Sequence, residues 1–379
     1  MATLRLKLAS RKQIVLNGID EVYEYLLCTK GKALRFVDVD FIPDKPIVQE
    51  ELVIADVPKL KIPVKSRYNI LIVDKQRERS PLLTDFQKGL VNHHDPNFRF
   101  IYTDQIDAKI DDVVPIKSYP DIIYTGFMAG DFIKNNRENI RRNNIALIAE
   151  SADNYLIKVQ NVVDRLGGVV PIALVIRTYD NIDIVKDALD NDNRLKGASV
   201  LFVPWAVDMN KYVPKSYPER DIDVAYISTV SKNYDIHVNK VKALKVVSGL
   251  SCNVFTDAVW GRKYIDILLR TKIFVVAGRV YDTMVQRYLE GAAAGCLMIG
   301  EMPKGAEGFL EEGKTFVSTP KGEYDNIPEI VRYYLDNPTE RDKIGAAVRD
   351  RCEKMFSLDK VIADFLDKLR LLVYEGRTK

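Results

Sequence analysis

Short apolar runs rich in Val and Ile, separated by stretches with helical patterning, recur along most of this chain and constrain it to a layered α/β architecture. From Tyr68 the runs are NILIVD, FRFIY, DIIYT, IALIAE, IALVIR and VLFVP, with helical patterns at Leu82 to Val91, Asp131 to Arg141, Asn154 to Arg165 and Ile182 to Leu189. From Asp223 a second set begins: VAYIS, NVFT, IFVVA, CLMIG and KTFVS, with helical stretches around Ile236 to Val247, Lys263 to Leu269, Asp282 to Ala294 and Ala306 to Glu311. Continuous runs of this length suit strands buried on both faces, and regular alternation with helices suits parallel sheets covered on both sides. The expected fold is α/β with two Rossmann-like domains, residues 67–210 and 211–356.

The ends read differently. Residues 1–66 carry TLRLKL, ALRFVDVDFI and ELVIADV, strand-like segments punctuated by Pro43, Pro46, Pro58 and Pro63, with one helical stretch around Ile19 to Leu27. They are expected to form a small β-rich extension, either packed on the first domain or serving as an acceptor-binding or oligomerisation module. Residues 357–379 hold one amphipathic helix, with Val361, Ile362, Phe365, Leu366 and Leu369 on its apolar stripe.

Residues 279–317 are the segment richest in chemistry. Asp282 precedes Glu290 by eight positions, and a small-residue run, Gly291 to Ala294, leads to Gly295 and the apolar Cys296 to Ile299. A helix from about Asp282 to Ala294 would turn its positive end toward Asp282 and Arg279, and its small residues would let it lie close to a sheet. Gly295 would supply the left-handed position that ends the helix, ahead of a buried strand. Ordinary α/β packing accounts for the small residues equally well.

That segment resembles the nucleotide-sugar-binding end of group 1 glycosyltransferases of the GT-B fold, with Asp282 where the family has Glu. RYLEGAAAG followed by GFLEEGKTFV is similar to the spore-maturation-type (CgeB-like) branch. Four further stretches resemble the family in the same order: Leu201 to Pro214, Asp221 to Thr229, Gly261 to Val276, and Ile327 to Leu366, where a helix stops at Asn337-Pro338 and restarts with Thr339 as its cap. The resemblance implies a GT-B architecture in which 211–356 bind a nucleotide-diphosphate sugar, 67–210 shape the acceptor side and the last helix crosses back to the first domain. It implies that Glu290 bonds the ribose hydroxyls, which a carboxylate suits because it accepts two hydrogen bonds at once, and that Asp282 contacts the donor sugar.

A departing diphosphate gains charge, and Arg or Lys can stabilise it without a metal. The candidates are Arg279, Arg287 and Lys232, the last in the loop after the second domain's first strand. The loop Met302 to Gly308 is expected to open a helix, so that Gly305 and Ala306 bring backbone N–H groups to phosphate or sugar oxygens. In the first domain, Asp153 follows a strand's C-terminal end, where open α/β sheets bind ligands, although it or Ser151 also suits a helix cap. Gly126 to Gly130 follow another strand and either line that cleft or make a turn. His94, paired with His93 after a helical stretch, and Asp153 are the candidate bases for an inverting reaction. Retention, the outcome the resemblance implies, needs no protein base.

The expected activity is transfer of a sugar from a nucleotide-diphosphate sugar to the hydroxyl of a glycan, protein or small molecule, retaining and independent of metal or other cofactor. Rivals are an epimerase of the same architecture, a transferase acting on modified nucleic-acid bases, and a non-catalytic binding protein. Fifty-six basic against fifty-three acidic residues leave a net charge of +3 without a dense basic block, which does not favour nucleic acid as partner. No apolar run is long enough for a membrane span and no leader pattern opens the chain, so a cytoplasmic location is expected, with a homo-oligomer left open. Cys28, Cys252, Cys296 and Cys352 lack metal or disulfide spacing and read as buried thiols.

Overall fold

The computed structural model describes residues 3–8, 13–17, 36–41, 65–75, 81–126, 129–150, 161–177, 185, 189, 195, 198–213, 220–228, 238–277 and 284–374. The chain separates into two compact units, Met1–Val53 and Ile54–Lys379. In the first, β1 (Thr3–Leu8), β2 (Gln13–Asn17) and β3 (Phe36–Phe41) form an antiparallel sheet of order β2-β1-β3. Strand β2, QIVLN, is an addition to the expected set; ELVIADV and the helical stretch at Ile19 to Leu27 lie outside the described residues.

The second unit holds two parallel sheets. The first has six strands in the order β5-β4-β6-β7-β8-β9: β4 (Tyr68–Val73), β5 (Phe98–Thr103), β6 (Ile122–Thr125), β7 (Ala146–Glu150), β8 (Ala173–Ile176) and β9 (Ser199–Phe202). Around it run α1 (Pro81–Asn92), α2 (Ile110–Val113), α3 (Gly130–Arg142) and α4 (Asn161–Arg165). The second has five strands in the order β11-β10-β12-β13-β14: β10 (Ile222–Ala225), β11 (Val254–Phe255), β12 (Thr271–Val276), β13 (Leu297–Glu301) and β14 (Val317–Thr319). Its helices are α5 (Val238–Ser248), α6 (Gly261–Leu269), α7 (Gln286–Ala293), α8 (Ile327–Asp336) and α9 (Pro338–Phe356). In both sheets order reverses beside the first strand, β4 or β10, which creates the crevice at the strands' C-terminal ends where such sheets take ligands.

Each sheet buries apolar side chains on both faces, which is why its strands read as unbroken apolar runs rather than alternating ones. The last helix, α10 (Leu358–Tyr374), leaves the second domain and seats Val361, Ile362, Phe365, Leu366 and Leu369 in the first domain's core. Phe365 meets Phe86 and Tyr124 edge-on at 5.6 and 5.9 Å between ring centres. A Cβ on Gly89 would stand 2.6 Å from Ile362 Cδ1, so the glycine sets how closely α1 and α10 approach. The outgoing and returning crossings are tied together: Val207 N–H donates to Phe356 O at 2.8 Å and Leu358 N–H to Val207 O at 2.9 Å.

Three local expectations are corrected. Residues 306–311 form turns rather than a helix, because Gly305, Gly308 and Gly313 take φ of +75°, +77° and +68°, a conformation that ends right-handed helical runs. Helix α9 is capped at Asn337, not Thr339, since Pro338 suits the first helical position, where its fixed φ fits and no N–H is needed. Cys296 and Cys352 are buried, but Cys252 is half-exposed, and Cys28 lies outside the described residues.

Candidate functional site

Helix α7 carries the acid segment, and its ends follow from local chemistry. Met284 is buried in the core, and Val285 after it is extended, at φ −78°, ψ 160°. The helix therefore begins at Gln286, four residues later than expected. Its C-terminus is a Schellman motif: Cys296 N–H donates to Gly291 O at 3.1 Å and Gly295 N–H to Ala292 O at 2.9 Å, with Gly295 at φ +68°. A Cβ on Gly291 would fall 2.6 Å from Phe274 Cδ1 and 2.9 Å from Met298 Sδ, so the small residues do bring α7 tightly against β12 and β13.

Glu290, in the second turn of α7, is 4% exposed. Tyr264 of α6 donates to its Oε2 at 2.7 Å. Among the described residues Oε1 has no hydrogen-bond partner. Burial pushes the Glu290 carboxyl up to about 6; the Tyr264 hydrogen bond and the Arg287 charge act downward, and Asp85 acts upward. Arg287, three residues earlier on the helix, is half-buried, and its Nη1 is enclosed with no partner among the described residues. Its charge acts on Tyr226, just after β10, as well as on Glu290. An enclosed N–H left unbonded is costly, so this nitrogen is ready for an anion.

The first domain and the linker contribute to the same place. Asp85 of α1 is buried and pairs with Lys211, while Asp208 caps the linker's helical turn by accepting from Asn210 N–H at 3.1 Å. Burial raises the Asp85 carboxyl, against the pull of Lys211. Tyr212 is 1% exposed, its hydroxyl has no partner among the described residues, and its carbonyl accepts from Arg349 at 3.1 Å. Glu290 and Asp85 are the two leading charges that act on Tyr212.

Several charged groups at the strand ends are already bonded, whereas the hydroxyls of Thr125 and Thr319 have no partner among the described residues. Glu301, at the end of β13, accepts at Oε1 from Asn239 at 3.0 Å, Gly322 N–H at 2.8 Å and Tyr324 at 2.5 Å. In the first sheet, Arg177 bonds Glu150 at 3.2 Å, Tyr124 donates to Glu150 at 3.0 Å, and Arg177 also donates to Tyr124 and to the linker carbonyl of Val203. Asp74 accepts from Gln87 at 2.8 Å, and a Cβ on Gly126 would sit 2.0 Å from the Asp74 carboxyl carbon, so Gly126 lets the chain pass that carboxylate.

Of the residues singled out in the sequence, the structure brings together Glu290 and Arg287. Gly305 lies in the turn after β13, and Ala306 beside it is buried in the core, so neither heads a helix. His94 is exposed after the C-terminus of α1. A helix between parallel strands runs back against them, so His94 sits at the N-terminal edge of the first sheet, opposite the crevice, and is no base for chemistry there. Asp153, Lys232, Arg279 and Asp282 lie outside the described residues. No group of three or more His, Cys, Asp or Glu able to hold a metal occurs among the described residues, and no helix among them is long and apolar enough to cross a membrane. Sequence reading missed Asp85, Tyr212 and Tyr264. Tyr264 sits among aliphatics in GRKYIDILL and reads as core; only the tertiary approach of α6 to α7 gives its hydroxyl a purpose.

Residues 237–367 match a family model described as "Glycosyl transferase-like". No curated protein sequence matches the chain. Among solved structures, a glycosyltransferase from Rickettsia africae is 13% identical with a TM-score of 0.55, over 82% of this chain and 100% of that one. HepE from Anabaena, in complex with UDP-glucose, is 11% identical with a TM-score of 0.54, over 80% and 99%. Sucrose-phosphate synthase from Thermosynechococcus elongatus is 12% identical with a TM-score of 0.54, over 81% and 99%. The two-sheet fold is thus that of GT-B glycosyltransferases, and within it residues 237–367 are similar to the glycosyl transferase-like family.

Proposed function

We propose that this GT-B enzyme moves a sugar from a nucleoside-diphosphate sugar to an acceptor hydroxyl, with the donor held at the crevice of the second sheet and the acceptor approaching from the first. The observation that carries this reading is Glu290: an enclosed carboxylate with one oxygen bonded and one open, beside a guanidinium with an unspent nitrogen. A ribose diol needs such an acceptor and a diphosphate such a donor. Trp260, 42% exposed at the start of α6 and one turn before Tyr264, offers an aromatic face for the base. Since HepE is seen with UDP-glucose, uridine diphosphate and its glucose ester are the first ligands to try.

Arg279, Lys232 and Asp282 complete the donor contacts in this reading, the cations by electrostatic stabilisation of the leaving diphosphate. The reaction is proposed to be retaining, metal-independent and cytoplasmic, on the branch that the RYLEGAAAG segment resembles; Asp153 would be the base if the outcome were inversion. The test is calorimetric titration of UDP into wild type and Glu290→Ala, together with NMR of the product anomer. Loss of binding in the variant supports the donor site, and unchanged affinity removes it. Inversion at the anomeric carbon discards retention, and an isomerised free nucleotide sugar formed without acceptor turns the assignment to an epimerase.

A further inference from the structure

We infer that Tyr264 is a positioning residue of the donor site, its hydroxyl fixing Oε2 of Glu290 so that Oε1 is presented to the ribose diol. The inference rests on the donor-site reading above and adds to it the group that orients the carboxylate.

The geometry is specific. Tyr264 is 8% exposed, its ring lies in the core cluster of the second domain, and its hydroxyl donates to Glu290 at 2.7 Å. Burial and the Glu290 charge hold the Tyr264 phenol well above its ordinary range, so it remains a donor throughout the physiological span. Glu290 has no other hydrogen-bond partner for its carboxylate among the described residues, and without Tyr264 the group would be free to rotate about its last side-chain bond. A carboxylate fixed by one oxygen meets two adjacent hydroxyls in a set orientation and loses little freedom on binding them, which is the advantage of preorganisation.

The hydrogen bond also favours the ionised form of Glu290, which is the form that accepts from hydroxyls. The titratable and charged groups facing Glu290 are Tyr264 of α6, Arg287 of its own helix, Asp85 of α1 and Tyr212 of the linker, with Cys352 and Arg349 of α9 behind Tyr212. Of these, Tyr264 is the strongest influence favouring ionisation, so its removal moves the pH at which the site loses its ligand upward.

The experiment is UDP binding by calorimetry from pH 5 to pH 8 on the full chain, for wild type, Tyr264→Phe, Tyr264→Met, Glu290→Gln and Tyr288→Phe. Wild type is expected to bind well at pH 7.5 and to weaken as Glu290 takes up its proton near pH 6. Tyr264→Phe should bind about tenfold more weakly at pH 7.5, the effect of one hydrogen bond to a charged group, and lose its ligand at a higher pH than wild type. Tyr264→Met, which fills the same space more pliably, must give the same upward shift. Tyr288→Phe removes a different buried hydroxyl, one that donates to the Glu301 carbonyl at 2.6 Å, and should leave the pH midpoint where it is. If both Tyr264 variants keep the wild-type affinity and midpoint while Glu290→Gln binds poorly, the positioning role is overturned and the donor site stands. An equal shift in Tyr288→Phe would assign the effect to packing and overturn it as well. Should Glu290→Gln bind UDP as wild type does, the donor-site reading itself falls.

Discussion

The crevice edges of the two parallel sheets are built alike, but their buried charged groups are held differently. At the first, the buried charges close on one another: Glu150, Arg177 and Tyr124 exchange hydrogen bonds, and Arg177 lies 4.5 Å over the Phe86 ring. At the second, Glu290 is as deeply placed but holds a single partner, and Arg287 keeps an enclosed nitrogen unspent. A satisfied network rigidifies a fold and offers nothing to a ligand, whereas an unsatisfied one carries a cost that a ligand can relieve. Burial of charge alone therefore does not mark a site; the state of its hydrogen bonds separates the scaffold from the site.

The sharpest way to break that contrast is at Arg177. Arg177→Met leaves Glu150, which is wholly buried, without the counter-charge its carboxylate bonds, with the charge of Arg165 still acting on it. Removing one member of a buried pair costs about 3–5 kcal/mol, and urea unfolding should show that loss. Replacing both, as Glu150→Gln with Arg177→Met, should recover much of it, because the orphaned charge is gone. If Arg177→Met unfolds like wild type but loses turnover at unchanged UDP affinity, the first edge is an acceptor site and the contrast is void.

Glu290→Gln should do the reverse. The folded-state pKa of about 6 lies above the ordinary 4.5, so the folded protein holds this proton more tightly than the unfolded chain does. Stability then falls as pH rises from about 4.5 through 6, and above that the ionised group costs about 2 kcal/mol. The glutamine variant is expected to gain that amount at pH 7.5 and nothing near pH 4, while losing UDP binding. A residue that weakens the fold and is needed for the ligand belongs to the site; a destabilising Glu290→Gln would move it to the scaffold.

Much of this division was legible in the sequence and some could not have been. The apolar runs announced both sheets because strands covered on two faces must be apolar throughout, and Gly291 to Gly295 announced a close-packed, glycine-terminated helix. What failed was local or tertiary. Val285 is extended beside the buried Met284, which helix propensity does not reveal. The stretch from Ala306 to Glu311 read as helical, but left-handed glycines at 305, 308 and 313 make it a run of turns. His94 follows a helix in sequence, and only chain direction reveals that it faces the wrong edge. Glu290 could be singled out by its motif, but nothing links it in sequence to Tyr264 or Asp85, which lie 26 residues away and in the other domain respectively.

Arg287→Ala tests the unspent donor itself. Removing the enclosed, unbonded Nη1 relieves a cost while losing the charge that favours ionised Glu290, so the two effects oppose and stability should change by about 1 kcal/mol or less. UDP affinity should fall about tenfold, with a weaker salt dependence, because a charge-assisted bond to phosphate disappears. Arg287→Lys should restore only part, since a compact ammonium cannot reproduce the planar fork. A large loss of stability with unaltered affinity would make Arg287 scaffold after all.

The smallest effect is expected at Asp85, and it probes how the two edges communicate. Asp85 is the weakest of the influences named for Glu290 and the one that comes from the first domain; it disfavours ionisation of Glu290, in the sense opposite to Tyr264. Asp85→Asn removes that repulsion, and Lys211, 38% exposed, remains hydrated without its partner. The pH at which UDP binding is lost should therefore move down by a small fraction of a unit, against the upward move expected for Tyr264→Phe, and the double variant should fall between them. Because the shift requires the two domains to face each other across the linker in solution, a midpoint identical to wild type would mean that the first domain stands away from Glu290 when the nucleotide binds.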